Sequence, residues 1–271
     1  MSEHTEQASI LETILAHKAH ELAERKRLLP LEQLRALAEA QPPPRGFLEA
    51  LRTPGRRVIA ECKRASPSKG PMAPGPWAPG ALARRYEAGG AACVSVLTDS
   101  RFFWGQLEDL AEVKAATSLP VLRKDFLIDP WQVWEARAAG ADAVLLIAAA
   151  FPDDDALGQM ISAVHAAGLD ELVEVHDDEE AEMAAFSGAR LVGINNRDLG
   201  TFEVDLSTTE RLAPMLHRAS CTVVSESGIT GPEDATRLEE AGVRAFLVGE
   251  RLVRDPDPVA ALQALIARSG D

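Results

Sequence analysis

Residues 58–70, VIAECKRASPSKG, put a glutamate and a lysine at the end of an otherwise apolar run. Glu61 and Lys63 are two apart, so on a strand they share a face. Charges on an apolar strand are costly unless they are paired or used. Other runs repeat the pattern. PVLRKDF ends in Arg123, Lys124 and Asp125, and ELVEVH carries Glu174. GINNRDL ends in Asn195, Asn196, Arg197 and Asp198, and VVSESGI in Glu226, Ser227 and Gly228. Carboxylates and lysines confined together shift one another's pKa, which general acid–base chemistry requires. Each group also has an ordinary reading. Glu61 and Lys63 suit a structural ion pair, and Lys124 with Asp125 a solvated loop pair. Glu174 suits an outward position, and Asn195 or Asn196 a turn. Only a shared position in the fold favours chemistry.

The elements supply that position. Strand-like runs lie at Arg57–Cys62, Ala92–Leu97, Pro120–Leu122, Ala143–Ile147, Glu171–Val175, Leu191–Ile194, Cys221–Ser225 and Ala245–Val248, with helical stretches between them. Gly90, Gly140, Gly188 and Gly242 stand before every second strand, where glycine caps a helix C-terminus. Each interval holds two βα units, which predicts an α/β fold: a single (β/α)8 TIM barrel with an N-terminal helical extension. An open doubly wound sheet is the runner-up, and no GxGxxG follows the first strand to support it. The expected division is a helical extension at 1–47 and a catalytic barrel at 48–271. Within the extension, residues 8–29 form a helix with Ile10, Leu11, Ile14, Leu15, Lys18 and Leu22 on one stripe. His17 and His20 fall on its solvated side. Pro30 ends it, residues 31–40 form a second helix, and the prolines of 41–45 make a stiff connector. Such an arm packs on a domain or caps one end.

In a barrel, chemistry sits at the C-terminal strand ends, and inward side chains of alternate strands share a layer. Glu61, Lys124, Glu174 and Glu226 then converge at one mouth. The loops after the last two strands carry Ser227-Gly228 and Gly249-Glu250-Arg251, the place where barrels hold phosphate on backbone N–H groups. That local device is compatible with the acidic whole. The formal charge is −14, which argues against nucleic acid as a partner. The three cysteines, Cys62, Cys93 and Cys221, are an odd number on separate strands and read as reduced core residues. No Cys/His spacing suits a metal, and no apolar run is long enough to span a bilayer. The polar first residues do not read as a signal peptide, so a cytoplasmic protein is expected.

ECKRASPSKG at 61–70, LRKDF at 122–126, LVEV at 172–175, GINNRDL at 193–199, SESGI at 225–229 and FLVGERL at 246–252 together resemble the indole-3-glycerol-phosphate synthase family. The resemblance runs over the whole barrel and includes the N-terminal extension. It implies a carboxy-lyase of tryptophan biosynthesis that works without cofactor or metal. The substrate is 1-(2-carboxyphenylamino)-1-deoxyribulose 5-phosphate, taken through ring closure, loss of carbon dioxide and loss of water. By resemblance, Lys124 protonates the former ketone oxygen, and Glu174 stabilises the developing cation or removes the proton during dehydration. Glu61 acts on the departing hydroxyl or holds Lys63, which is the alternative source of that proton. Lys63, Asn195 and Arg197 suit the substrate's carboxylate and hydroxyls. Glu226 orients the lysines, and Ser227 orients a hydroxyl. Phe103, Phe126, Leu145 and Leu199 make the slot for the aromatic ring. Ser66, Gly228, Gly249 and Glu250 contact the phosphate, Glu250 through its backbone N–H alone because its carboxylate would repel. FFWGQ at 102–106 departs from the family pattern at Trp104 and Gln106. The Pro- and Gly-rich loop after Ser66 suits a lid, with Lys69 reaching over the substrate.

Two rivals remain at this level. One is another phosphosugar barrel such as phosphoribosylanthranilate isomerase, with a Cys/Asp acid–base pair. The other is a non-catalytic barrel that binds a phosphorylated metabolite. The expected partner is a small phosphorylated substrate, with no nucleic acid and no membrane. A monomer or weak dimer is expected, with room for association with other tryptophan-pathway enzymes.

Overall fold

The computed structural model describes residues 9–267, residues 68 and 74 excepted. The expected start of the first helix at residue 8, and Ser68 and Pro74 of the lid, lie outside them. Eight parallel strands close into one barrel. They are β1 (Arg57–Cys62), β2 (Cys93–Leu97), β3 (Val121–Lys124), β4 (Ala143–Ile147), β5 (Asp170–Val175), β6 (Leu191–Asn195), β7 (Thr222–Glu226) and β8 (Ala245–Val248). Three helices precede β1: α1 (Ile10–Leu28), α2 (Leu31–Glu39) and α3 (Phe47–Arg52). Between β1 and β4 run α4 (Pro79–Ala88), α5 (Ser100–Phe103), α6 (Leu107–Ala116) and α7 (Pro130–Ala138). The second half carries α8 (Asp154–Ala166), α9 (Asp178–Phe186), α10 (Ser207–Arg218), α11 (Pro232–Glu240), α12 (Glu250–Arg254) and α13 (Pro258–Ile266). The glycines before every second strand all take left-handed φ, from 81° to 92°, as the capping role requires.

Parallel strands are buried on both faces, so period-two alternation divides two cores. Val58, Ala60, Val94, Val96, Val173 and Val175 face the helices. Ile59, Cys93, Leu122, Leu145, Leu172 and Leu247 fill the barrel. The third strand runs two residues past its expected end at Leu122, and Lys124 pairs with Leu97 across the sheet. Arg123 and Lys124 hid this extension, because charge on both faces looks like a loop. Arg123 points outward and is buried against Glu135 on α7 at 2.9 Å.

The N-terminal arm closes both ends of the barrel. Phe47, Leu48 and Leu51 of α3 plug the bottom against the interior core. At the top, α1 starts with a Ser9–Glu12 capping box and lays Ile10, Leu11 and Ile14 over the mouth. Lys18, on the apolar stripe of α1, is 2% exposed and reaches Asp99 at 3.0 Å and Asp125 at 3.1 Å, in the loops after β2 and β3. Burial alone would pull its pKa down, but Asp125 and Asp99 hold it above the usual lysine range. Asp125 is therefore no solvated partner of Lys124. It belongs to a buried network with Lys18 and Arg123.

Candidate active site

The strand period decides what faces the mouth. Glu61, Lys124, Glu174, Asn195 and Glu226 are the last or nearly the last inward side chains of β1, β3, β5, β6 and β7, and all five line one cavity of about 750 Å³. Lys63, Ser66, Arg197, Ser227, Gly228, Gly249 and Glu250 enter it from the loops. Phe103, Phe126, Leu145 and Leu199 line it as well. The residues that the family resemblance assigns to the site are therefore brought to one place, whereas Arg123, Asn196 and Asp198 stand outside the lining.

Lys124 is the centre. Its Nζ lies 2.8 Å from Glu174 Oε2 and 3.4 Å from Glu226 Oε2. Burial opposes its charge, but Glu174, Glu226 and Glu61 outweigh that and raise its pKa. The two carboxylates separate in the opposite sense. Glu174 is pulled well below the carboxylate range, because Lys124 and then His176 overcome its burial. Glu226 is pushed up to about 8, by burial first and by Glu174 and Glu61 besides. Two acids with β6 between them are thus shifted in opposite senses, the usual condition for dividing acid and base roles. Glu226 also bears on stability. The folded protein holds a proton that the unfolded chain gives up near pH 4.5, so stability falls as pH rises from about 4.5 to about 8. Glu226→Gln is isosteric with the protonated acid and removes that loss. Its melting midpoint should match wild type near pH 4.5 and exceed it increasingly toward pH 8, by about 2–4 °C for each kcal/mol. Parallel melting curves across that range would exclude a protonated Glu226.

Glycines make room for the acids. A Cβ at Gly193 would sit 2.1 Å from Glu226 Oε1, and one at Gly249 would sit 2.3 Å from Glu61 Oε1. Gly249 thus has a packing role besides the phosphate role expected of it. Glu61 pairs with Lys63 at 2.9 Å, while its Oε2 is buried without a hydrogen-bond partner. Ser66 Oγ and Glu226 Oε1 are likewise buried and, among the described residues, unpartnered. Such orphaned atoms facing a cavity are costly unless a ligand or water completes them.

Period two also separates the paired asparagines. Asn195 points inward, and its Nδ2 donates to Glu174 Oε1 at 3.3 Å. Asn196 points outward and is fully engaged, donating to Ser225 Oγ and the Glu226 and Ser227 carbonyls and accepting from Thr209. It fixes the turn after β6. Arg197 Nη1 donates to the Phe202 carbonyl at 3.1 Å, and among the described residues its guanidinium has no carboxylate partner.

One wall is aromatic. Phe103 and Phe126 lie 6.0 Å apart with planes tilted by 36°. Leu97 and Ile147 extend this wall, and Ile14 of α1 faces the same cavity. The contribution of α1 was not foreseen. Its apolar stripe was legible, but not the surface it covers. Trp104 and Gln106 are exposed and stand outside the lining, so the departures at 102–106 leave the cavity untouched.

At the opposite side, Ser227 and Gly228 take φ of 62° and 82°, and the turn brings their backbone to the cavity beside Gly249 and Glu250. The Glu250 carboxylate is not a bare repulsive charge: it accepts from Lys69 Nζ at 2.7 and 2.8 Å and lies 3.5 Å from Arg254. Lys69 comes from the lid, where Ala65–Ser66 pairs antiparallel with Gly70–Pro71. His17 also differs from expectation, bonding Arg101 at 3.0 Å and packing edge-on to Phe102.

The family model for indole-3-glycerol phosphate synthase matches residues 11–265. The chain is similar to the indole-3-glycerol phosphate synthase of Azoarcus sp. (strain BH72), 51% identical over 263 residues, 95% of this chain and 99% of that protein. It is 47% identical over 259 residues to that of Mycobacterium avium (strain 104), 96% of this chain and 94% of that protein. Among solved structures, the N-acetylmannosamine-6-phosphate 2-epimerase from Clostridium perfringens has a TM-score of 0.58 at 18% identity, covering 79% of this chain and 94% of that one. At that identity the likeness is one of fold.

Proposed function

The chain belongs to the indole-3-glycerol phosphate synthase family, and from that premise we propose which residues carry each step. The reaction converts 1-(2-carboxyphenylamino)-1-deoxyribulose 5-phosphate to indole-3-glycerol phosphate in tryptophan biosynthesis. By class it is a carboxy-lyase. Its ring carbon attacks the ketone, carbon dioxide leaves, and water is then lost.

The observation that carries the assignment is Lys124 at the centre of the mouth, 2.8 Å from Glu174 and 3.4 Å from Glu226, with the pKa of Glu174 drawn down and that of Glu226 pushed up. Negative charge builds on the ketone oxygen during ring closure, and Lys124 donates a proton to it. The aromatic ring lies between Phe103 and Leu199, against Phe126 and Leu145, and loss of water from this wall assists decarboxylation. Glu61, whose free Oε2 faces the cavity, or its partner Lys63, protonates the departing hydroxyl. Glu174, held by Asn195, takes the proton released as the indole forms. Glu226 supports Lys124, and Ser227 orients a substrate hydroxyl. The phosphate rests on the backbone of Gly228, Gly249 and Glu250, with Ser66 beside it and Lys69 above.

Arg197 takes the substrate carboxylate, since a guanidinium without an ionic partner at the mouth is available for one. Arg197→Ala should raise KM about 10-fold or more, the worth of a hydrogen bond to a charged group, and slow turnover as well. An unchanged KM would remove Arg197 from this role. The reading as a whole is tested by mixing purified protein with the carboxyphenylamino substrate and following indole fluorescence. Folded protein without signal would overturn it.

The isomerase reading needs a cysteine acid at the mouth. Cys62 faces the helix layer instead, and burial pushes its thiol up. A small phosphorylated substrate in the cytoplasm is the setting we infer. No helix among the described residues is long and apolar enough to cross a membrane. We infer an extension at 1–47 and a barrel at 48–271, and what supports it is that α1 docks on the barrel loops through Lys18.

A further inference from the structure

Strand β5 ends at Val175, and the next residue is a histidine that no step above uses. The His176 side chain is 11% exposed and lies between two carboxylates. Nδ1 is 2.9 Å from Glu180 Oε2, and Nε2 is 3.4 Å from Glu174 Oε1. Nε2 is buried and, among the described residues, makes no hydrogen bond, so its tie to Glu174 is an ion-pair contact alone. Glu180 is itself fixed in the first turn of α9. Its Oε2 also accepts the backbone N–H of His176 at 2.8 Å, and its own N–H donates to the N-cap Asp177 at 2.9 Å.

An ionised carboxylate offers only acceptors, so a ring nitrogen facing one must carry a proton. Nδ1 is hydrogen-bonded to Glu180 and Nε2 lies 3.4 Å from Glu174, an arrangement that favours the imidazolium. Its charged neighbours agree. Glu174 faces it from β5, Glu180 from α9, and Asp198 feels its field from the loop after β6. The cation Lys124 engages the other oxygen of Glu174, 2.8 Å away.

We propose that His176, clamped by Glu180, is a positioning residue that keeps Glu174 ionised and turned toward the mouth so that it can accept the substrate's proton. This rests on Glu174 being the base, as assigned above. Burial pulls the His176 pKa down, but the Glu174 and Glu180 carboxylates raise it to about 10. The ring therefore stays charged through the neutral range. It gives Glu174 a second cation on the oxygen that Lys124 does not reach.

The test is the pH dependence of kcat and KM in wild type, His176→Gln, Glu180→Gln and Glu174→Gln. Glutamine at 176 retains a neutral donor and loses the charge. Without that cation Glu174 gains a proton more easily, so the acid limb of kcat should move up by about one pH unit. KM should stay within about twofold, because the ring does not line the cavity. Glu180→Gln withdraws the anion that stabilises the imidazolium, so the alkaline limb should move down; it carries the test if His176→Gln fails to fold. A kcat that is unchanged, or lowered equally at every pH, in these variants overturns the proposal. If Glu174→Gln retains turnover, the base assignment has failed. If Glu174→Gln is inactive and neither limb moves, this inference alone has failed.

Discussion

Lys124→Ala is expected to lower kcat by on the order of 10²-fold or more, the usual worth of a positioned acid. Two effects add. The ketone oxygen loses its proton donor at ring closure. The site also loses the cation that faces Glu174 at 2.8 Å and Glu226 at 3.4 Å. Lys124 is the main group that holds buried Glu174 ionised, so without it Glu174 takes up a proton more readily and is weakened as a base. Lys124→Arg would keep the charge but bring a larger, planar group that does not give up its proton. Steady-state kinetics with the carboxyphenylamino substrate checks both variants. If either turns over near the wild-type rate, Lys124 is not the acid.

Glu61→Gln is expected to cost about 10²-fold in kcat for a different reason. Glu61 is 2% exposed, and one oxygen holds Lys63 while the other has no partner. Glutamine fills the same space beside Gly249, where a Cβ would already collide with Glu61. Packing is therefore kept, and only proton donation and the ion pair are lost. A variant that melts like wild type and accumulates the ring-closed, decarboxylated but still hydroxylated intermediate would place Glu61 at dehydration. Loss of turnover without that intermediate would move its role to an earlier step.

The sequence carried the barrel and the polar layer at its mouth for one reason. Parallel strands are apolar on both faces, so a charge on an inward position stands out, as Glu61, Glu174 and Glu226 do. The same signal fails where neighbours are both polar. In Arg123-Lys124 and Asn195-Asn196 one residue serves the site and the other binds a helix or a turn, and only the register tells them apart. Tertiary placement was also out of reach. The apolar stripe of α1 gave no address, and Lys18 on that stripe looked like an interruption until Asp99 and Asp125 were seen opposite it. His176 followed a legible glutamate, but its partner Glu180 lies on the next helix and joins it only when that helix turns back.

The two ways the mouth is held shut are unequal, and that fixes a direction of traffic. On one side, α1 is tied down by a lysine and two aspartates that are at most 2% exposed. Separating such a set costs about 3–5 kcal/mol. On the other, the lid is tied by Lys69 and Glu250, whose side chains are 42% and 31% exposed, a contact worth at most about 1 kcal/mol and screened by salt. Thermal motion opens the second tie many times for each opening of the first. Substrate and product are therefore expected to pass beside Lys69 and the loops after β7 and β8, while α1 stays docked. Added salt should speed product release and leave the docking of α1 unchanged; a release rate indifferent to ionic strength would put the doorway elsewhere.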